Sequence, residues 1–441
     1  MFKEIQKMRK SVVVIGAGIA GLAAAYQLQQ AGMFVHVLEA NDYVGGRMFT
    51  VDWEGFRVDG GAKFVTTADR TLLAMVSELG LDDQLVKSGS GLDITIYRDG
   101  QLHSANFLSI LSYLRWSGVS PLARLAMFKL VLPMLLLGKV NPYHLERAHG
   151  PDDEVTFEQF FKNKISVEMF EYWARPMFET MCAYKGDDLS RKAFLALMAS
   201  YLNSSSVTFR DGVGALPEEL ARRLNVELSA QVIDIMPYSD KSGAVVIYRS
   251  RSEGIMKRIW ANKVVVAIPG NHVLELFDDP LFAWNRFFPL VKYTSGALHY
   301  HVIETDYRPP VVRTLVPRLS GLPINSIAFE QYRDGRWLML TDPSVYGFRI
   351  RDSDGILEQK AVGVIRQIFP QMKGDFIAHR MFRWHDMLPT FKPGYLVALS
   401  EFWADPQEDP VFFCGDYFAG PSTGGALYTG LECVQRILKG N

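Results

Sequence analysis

Three glycines, Gly16, Gly18 and Gly21, stand at G-x-G-x-x-G spacing in SVVVIGAGIAGLAAAYQL, between an apolar run and a helical pattern. Phosphate binding needs this arrangement. The first glycine permits a tight turn, the second lets a pyrophosphate approach the backbone, and the third lets helix and strand pack closely. The helix start then presents N–H groups and partial positive charge to an anion. Glu39 closes the following strand, where an acid can accept from ribose hydroxyls. Arg47 follows the pair Gly45–Gly46 and can hold a phosphate through two N–H bonds. Gly60 and Gly61, in VDGGAKFV, add backbone that a flat ligand can approach.

The same grammar returns at the other end of the chain. FFCGDYFAGPSTGGALYTGLECVQRIL, from Phe412 to Leu438, reads as a buried strand, a glycine-rich loop and a helix. A helix starting near Gly425 would direct N–H groups and its positive end at a ligand carrying negative charge.

Together these stretches, with RDGVGALPEELARRL and VVVAIP in the middle of the chain, resemble the flavin amine oxidase superfamily, with protoporphyrinogen oxidases and carotene desaturases nearest in texture. The resemblance covers roughly 11–64, 209–269 and 412–438. It implies FAD, with Gly16, Gly18, Ala20 and Gly21 at the pyrophosphate, and Glu39 with Ala40 at the adenosine ribose. Gly46 and Arg47 would serve the phosphates and the flavin side, and Gly60, Gly61 and Ala62 would run beside the isoalloxazine. Val232 would meet adenine through its backbone. Asp416 would lie near the ribityl chain, and Gly425, Ala426 and Leu427 near the pyrimidine edge. The terminal loop departs from the amine oxidase pattern: Ser422 or Thr423 stands where that family places an aromatic wall. MFRWHDMLPTFKPGYL is similar to a run of the protoporphyrinogen oxidases, but GGAKFV lacks the arginine expected beside Ala62.

The elements that must position these residues follow from periodicity. The spacing predicts a strand over 12–15, a helix over 19–30 and a strand over 33–38, one βαβ unit of a parallel sheet. Helical patterns dominate 72–203. Strand-like runs at 226–236, 244–250 and 258–268, joined by YSDKSG and RSEG, predict an antiparallel meander. The fold class is therefore α/β: a Rossmann-like domain with parallel sheet and meander, and an interleaved α+β domain, which the resemblance implies to be FAD-binding and substrate-binding respectively. Boundaries are expected at 1–70, 205–275 and 405–441 for the first, and at 71–204 and 276–404 for the second.

The sum of charges is −1, so a nucleic-acid partner is not expected. Cys182, Cys414 and Cys433 show neither metal nor redox spacing, which fits a reducing cytoplasm. PLARLAMFKLVLPMLLLG, 121–138, is interrupted by Arg124, Lys129 and Pro133, whereas a spanning helix needs about 20 mostly apolar residues. It reads as a buried or pocket-lining helix, or as one lying on a membrane surface. His299 and His301 alternate along one strand without a third and fourth ligand in sequence, so pocket or surface positions are expected and no metal.

No catalytic triad is needed, because a flavin carries the redox chemistry. Pocket candidates are Lys63, Phe64, His299, His301, Trp384 and Ser422. The expected activity is hydride removal from a C–N or C–C bond of an apolar small molecule such as an amine or cyclic imine. Oxygen or another acceptor would reoxidise the flavin. Porphyrinogen oxidation or polyene desaturation at a membrane surface is the alternative, and a non-redox flavin isomerase is the reading from another class.

Overall fold

The computed structural model describes residues 10–87, 93–106, 109–137, 140–149, 153–201, 204–310, 312–332, 334–346, 351–404 and 410–439. A five-stranded parallel sheet runs in the order Val226–Glu227, Phe34–Leu38, Ser11–Ile15, Lys263–Val266, Val411–Phe413. Its central strands are buried from Val12 to Ile15 and from Lys263 to Val266, the pattern of a sheet covered on both faces. On one face lie the helices Ile19–Gln30 and Thr423–Lys439. They cross closely at Gly430, where any side chain would collide with the Ala20 carbonyl.

The meander is present as Ala230–Pro237, Ala244–Ser250 and Ile255–Ala261. Two of the predicted strand runs each divide in two. Val226–Glu227 and Lys263–Val266 leave the meander to join the parallel sheet. Ala230 N–H bonds the Glu39 carbonyl at 2.7 Å, so the meander starts beside the end of the second parallel strand.

A seven-stranded sheet runs in the order Asp375–Trp384, Gly296–Glu304, Trp337–Pro343, Ile324–Gln331, Thr314–Leu315, Asp93–Arg98, Gln101–Asn106. The last two strands form a hairpin inside the stretch expected to be helical. Their run is short, and the pattern on either side is helical, so tertiary pairing decides their state. One face of this sheet packs Leu298, Tyr300 and Val302 against Phe56 and Val58. The other is covered by the helix Asp354–Ile368, whose Val364 and Ile365 meet Ile303 and Met339.

The long helical pattern from Phe157 is not one helix. Ser166 is extended (φ −164°) and caps a new start by accepting from Met169 N–H. The remainder carries two π-helical turns, Phe161–Ile165 and Phe170–Ala174, before Arg175–Cys182. Pro121–Ala126 and Val131–Leu136 are two short helices joined by a 3-10 turn. Among the described residues no helix is long and apolar enough to cross a membrane.

Candidate functional site

The first glycine turn is shaped by two collisions and one opening. Gly16 has φ +102°, and a Cβ there would lie 2.7 Å from the Ala267 carbonyl oxygen. A Cβ at Gly21 would strike the Gly16 carbonyl. At Gly18 it would meet nothing within 4 Å. Two glycines are thus required by the fold, and the third borders open space where a ligand could approach backbone. Glu39, buried, accepts from Ala17 N–H at 2.7 Å and from Asn41 N–H and Nδ2 at 2.8 Å each. Its carboxylate is therefore fixed against the turn.

The later segments are tied to this turn. Gly45 N–H bonds the Ala17 carbonyl at 2.8 Å, and a Cβ on Gly46 would lie 3.5 Å from Gly18 Cα. Arg47 then extends to Asp416 at 2.8 Å and to the Met387 carbonyl at 2.8 Å. Asp416 is buried and also accepts from the Tyr293 hydroxyl at 3.2 Å. Ala62 N–H bonds the Arg47 carbonyl at 2.8 Å, and Trp384 Nε1–H bonds the Gly60 carbonyl at 2.8 Å. Side chains at Gly60 and Gly61 would collide with the Phe49 ring and the Arg47 carbonyl. The two glycine-rich stretches consequently run side by side.

At the terminal helix the positive end is shifted from the expected place. Ser422 Oγ accepts from Gly425 N–H at 2.9 Å, and the Ser422 carbonyl accepts from Ala426 N–H at 3.0 Å. Ser422 is thus an N-cap of the terminal helix. Those bonds do not use the N–H groups of Thr423 and Gly424, which open the helix. Gly424 faces Asp69, whose Oδ1 would collide with any side chain there. Burial raises the Asp69 carboxyl above the usual range, against the hydrogen bonds from Thr66.

Lys63 follows the Gly60–Gly61 pair and stands 5.6 Å from the centre of the Tyr300 ring. Tyr300 in turn donates to the Asp59 carbonyl at 2.8 Å. Burial pushes the Lys63 ammonium down to about 7, opposed by Asp342 and Asp59 and aided by Arg313. Burial likewise lifts Asp59 to about 6, even though Thr50 and Val213 hydrogen-bond it. An amine able to gain or lose a proton near neutrality beside a glycine-lined strap suits acid–base work. Phe64 is exposed, and Val232 is half-buried next to a bulge in the meander.

His299 and His301 do not join this group. They are fully buried and alternate with Tyr300, so they face the helix Asp354–Ile368 instead. His379, paired with His301 across the strands, brings a third ring, with centroids 5.5 and 6.4 Å from the other two. Surface or pocket positions were expected. The sidedness follows from strand alternation once Tyr300 is placed. Among the described residues no group of three or more His, Cys, Asp or Glu is arranged to hold a metal.

Several contributors escaped the sequence reading. Asp59 lies inside VDGGAKFV and could have been read there. Tyr293, Met387, Asp342 and Arg313 carry no local signal, because only chain folding brings them in.

Replacing Gly18 by Ala separates fold from ligand. The new Cβ meets no protein atom, so Tm is expected to stay within about 2 °C of the parent. FAD affinity of the apoprotein, followed by flavin fluorescence quenching, is expected to fall at least about tenfold, or ~1.4 kcal/mol. A large drop in Tm would remove the case for an open cradle.

Comparison with known proteins gives a family model described as flavin containing amine oxidoreductase, matching residues 19–438. Coproporphyrinogen III oxidase of Propionibacterium freudenreichii subsp. freudenreichii is 29% identical over 192 residues, 42% of this chain and 34% of that enzyme. The chain therefore matches about a third of the length of that curated relative. A redesigned putrescine oxidase superposes with TM-score 0.76 at 19% identity, covering 98% of this chain and 99% of the other. A fatty acid isomerase from P. acnes that produces CLA gives 0.72 at 17%, covering 97% and 98%. At such identities the likeness is one of fold.

Proposed function

The chain belongs to the flavin-containing amine oxidoreductase family, and from that premise we propose that it removes hydride from a C–N or C–C bond of an apolar small molecule, with oxygen as the acceptor. It is an enzyme of the oxidoreductase class and its cofactor is FAD. When bound, FAD supplies the hydride-accepting centre. The glycine cradle fits such a group. Gly18 borders open space while Gly16 and Gly21 are closed by the fold, and Arg47, bound to Asp416, lies between the two glycine-rich stretches.

One observation carries the reading: Lys63 lies beside the Gly60–Ala62 strap, 5.6 Å from the centre of the Tyr300 ring, and Trp384, Phe49 and Phe382 cluster on the same strap. The aromatic rings favour an apolar substrate body, and a buried substrate ammonium is costly until its proton is removed. An amine must be neutral at nitrogen before its neighbouring C–H can leave as hydride. Lys63 Nζ, held near 7, can take that proton. Trp384 and the Gly60 carbonyl hold the strap, and Arg47 with Asp416 orients the cofactor's phosphate and ribityl side.

Purified holoenzyme, mixed anaerobically with amines, porphyrinogen and polyenes, is expected to bleach with one amine or cyclic imine and to form peroxide when oxygen is admitted. Bleaching only by porphyrinogen or polyene would replace the amine reading. Product without bleaching would support a flavin isomerase. The alternative of a bulky apolar substrate taken at a membrane surface draws on the apolar side chains exposed between Ile110 and Leu135.

Lys63→Met is expected to remove an ionisation near pH 7 from the rate of anaerobic flavin reduction, lowering that rate at pH 8 by 10²-fold or more. It is also expected to flatten the pH dependence of the bound-flavin absorbance, which a purely structural lysine would not affect. An unchanged profile in both would dismiss Lys63 as the proton acceptor.

A further inference from the structure

Building on the membrane-surface alternative, we propose that Ile110–Arg115, Pro121–Ala126 and Val131–Leu136 form one docking face for a bilayer containing anionic lipid. These helices turn Tyr113, Ala123 and Leu130, the last in the connecting 3-10 turn, inward. Outward they leave Ile110 61%, Leu111 62%, Leu122 79%, Leu125 56%, Leu132 63% and Leu135 71% exposed. Isolated exposed leucines are ordinary, but a cluster of this kind on neighbouring helices marks an interaction surface. The helices are too short to span and lie along the surface, the arrangement of an interfacial anchor.

Charge selects the occupant. Between Asp99 and Glu146 the sequence has no acidic residue and four cations, Arg115, Arg124, Lys129 and Lys139. Arg115 and Lys129 are exposed among the apolar side chains. A second copy docked through the same face would set these cations against each other with no acid of the segment to answer them. An anionic headgroup layer answers them directly, while acyl chains take the leucines.

The face also bears on the site. The helix Arg191–Tyr201 packs against Val131–Leu136, and its last residue, Tyr201, reaches Ser422 at the cap of the terminal helix. One helix therefore separates the lipid face from the glycine loop. An apolar substrate dissolved in the bilayer would enter from that side.

The test is flotation of the full-length holoenzyme with vesicles of phosphatidylcholine alone or mixed with phosphatidylglycerol. Binding to the mixed vesicles is expected, at least about tenfold weaker on phosphatidylcholine. Leu122→Glu, Leu132→Glu and Leu135→Glu together are expected to abolish flotation while the protein stays yellow. Should that variant fail to fold, Arg115→Gln with Lys129→Gln, which leaves the apolar side chains in place, is expected to lose the lipid preference. Absence of flotation, equal flotation on both vesicles, or a dimer in light scattering that the leucine changes dissolve would each overturn the proposal. Flavin bleaching by soluble substrate is measured on the same preparations. Bleaching without flotation sinks the membrane face alone, and flotation without any bleaching sinks the assigned reaction alone.

Discussion

An Arg47→Met protein is expected to be isolated colourless and to unfold with about 3–5 kcal/mol less stability than the parent. Arg47 and Asp416 are 2.8 Å apart, with their side chains 29% and 5% exposed. Removing the guanidinium leaves the Asp416 carboxylate buried with the Tyr293 hydroxyl as its remaining side-chain partner among the described residues. A buried charge stripped of its counter-ion costs far more than the pair contributes. The Arg47 guanidinium also donates to the Met387 carbonyl, so its loss removes a second tie between the strap and the segment around Met387.

The double change Arg47→Met with Asp416→Asn removes the orphaned charge and is expected to recover roughly half or more of the stability. It is not expected to recover colour, because the cation facing the cofactor is still missing. Urea midpoints and the flavin-to-protein absorbance ratio report the two effects separately. A yellow single variant of normal stability would refute the central place given to this pair.

Acid is expected to weaken the fold through His299 and His301. Burial lowers His299 to about 3, helped by His379 and Arg383, and holds His301 well below its ordinary value, helped by His299 and His379. In the unfolded chain both titrate near 6.5. Below that pH the unfolded state binds protons that the folded state refuses, so stability falls as pH falls. Through His299 it is fully present above about 6.5 and declines by about 1.4 kcal/mol per pH unit, roughly 2 kcal/mol at pH 5, and His301 adds to the loss in the same direction.

The groups facing these rings are Met339, Thr341, Met381, Phe376 and His379, with Glu358 3.0 Å from His379. Among the described residues no carboxylate contacts either ring directly, so none of them offsets the cost of protonation. Denaturant titrations at pH 7 and pH 5 measure the effect. His299→Leu with His301→Leu is expected to flatten the slope. An equally steep decline in that double variant would assign the acid lability to other groups.

How much of this was legible depends on where the constraint lives. The βαβ unit was readable to within a residue at its strand and helix boundaries, because apolar runs and glycines report backbone geometry directly. The terminal helix was legible too, with its start two residues earlier, at Thr423 instead of Gly425. What failed was whatever depends on partners distant in sequence. The hairpin Asp93–Asn106 exists through pairing with Thr314–Leu315. The run 121–137, where a buried or pocket-lining helix was the first expectation, breaks into short helices whose outer side chains, Leu122, Leu125, Leu132 and Leu135 among them, are exposed. The N-cap role of Ser422, accepting from Gly425 N–H, likewise carries no signal in the sequence beyond a serine before a helix.

The sequence by itself determined the cofactor class. The dinucleotide turn demands glycines at fixed spacing, and those demands are local: a φ of +102° at Gly16 and a backbone collision at Gly21 act within a few residues. The alternation of His299 and His301 was determined in the same way, by the strand's period of two. Only the tertiary structure decided which face those rings occupy, that Arg47 meets Asp416, and that Lys63 sits near neutrality. Those properties are set by desolvation and by charges from remote segments, whose positions no local pattern encodes.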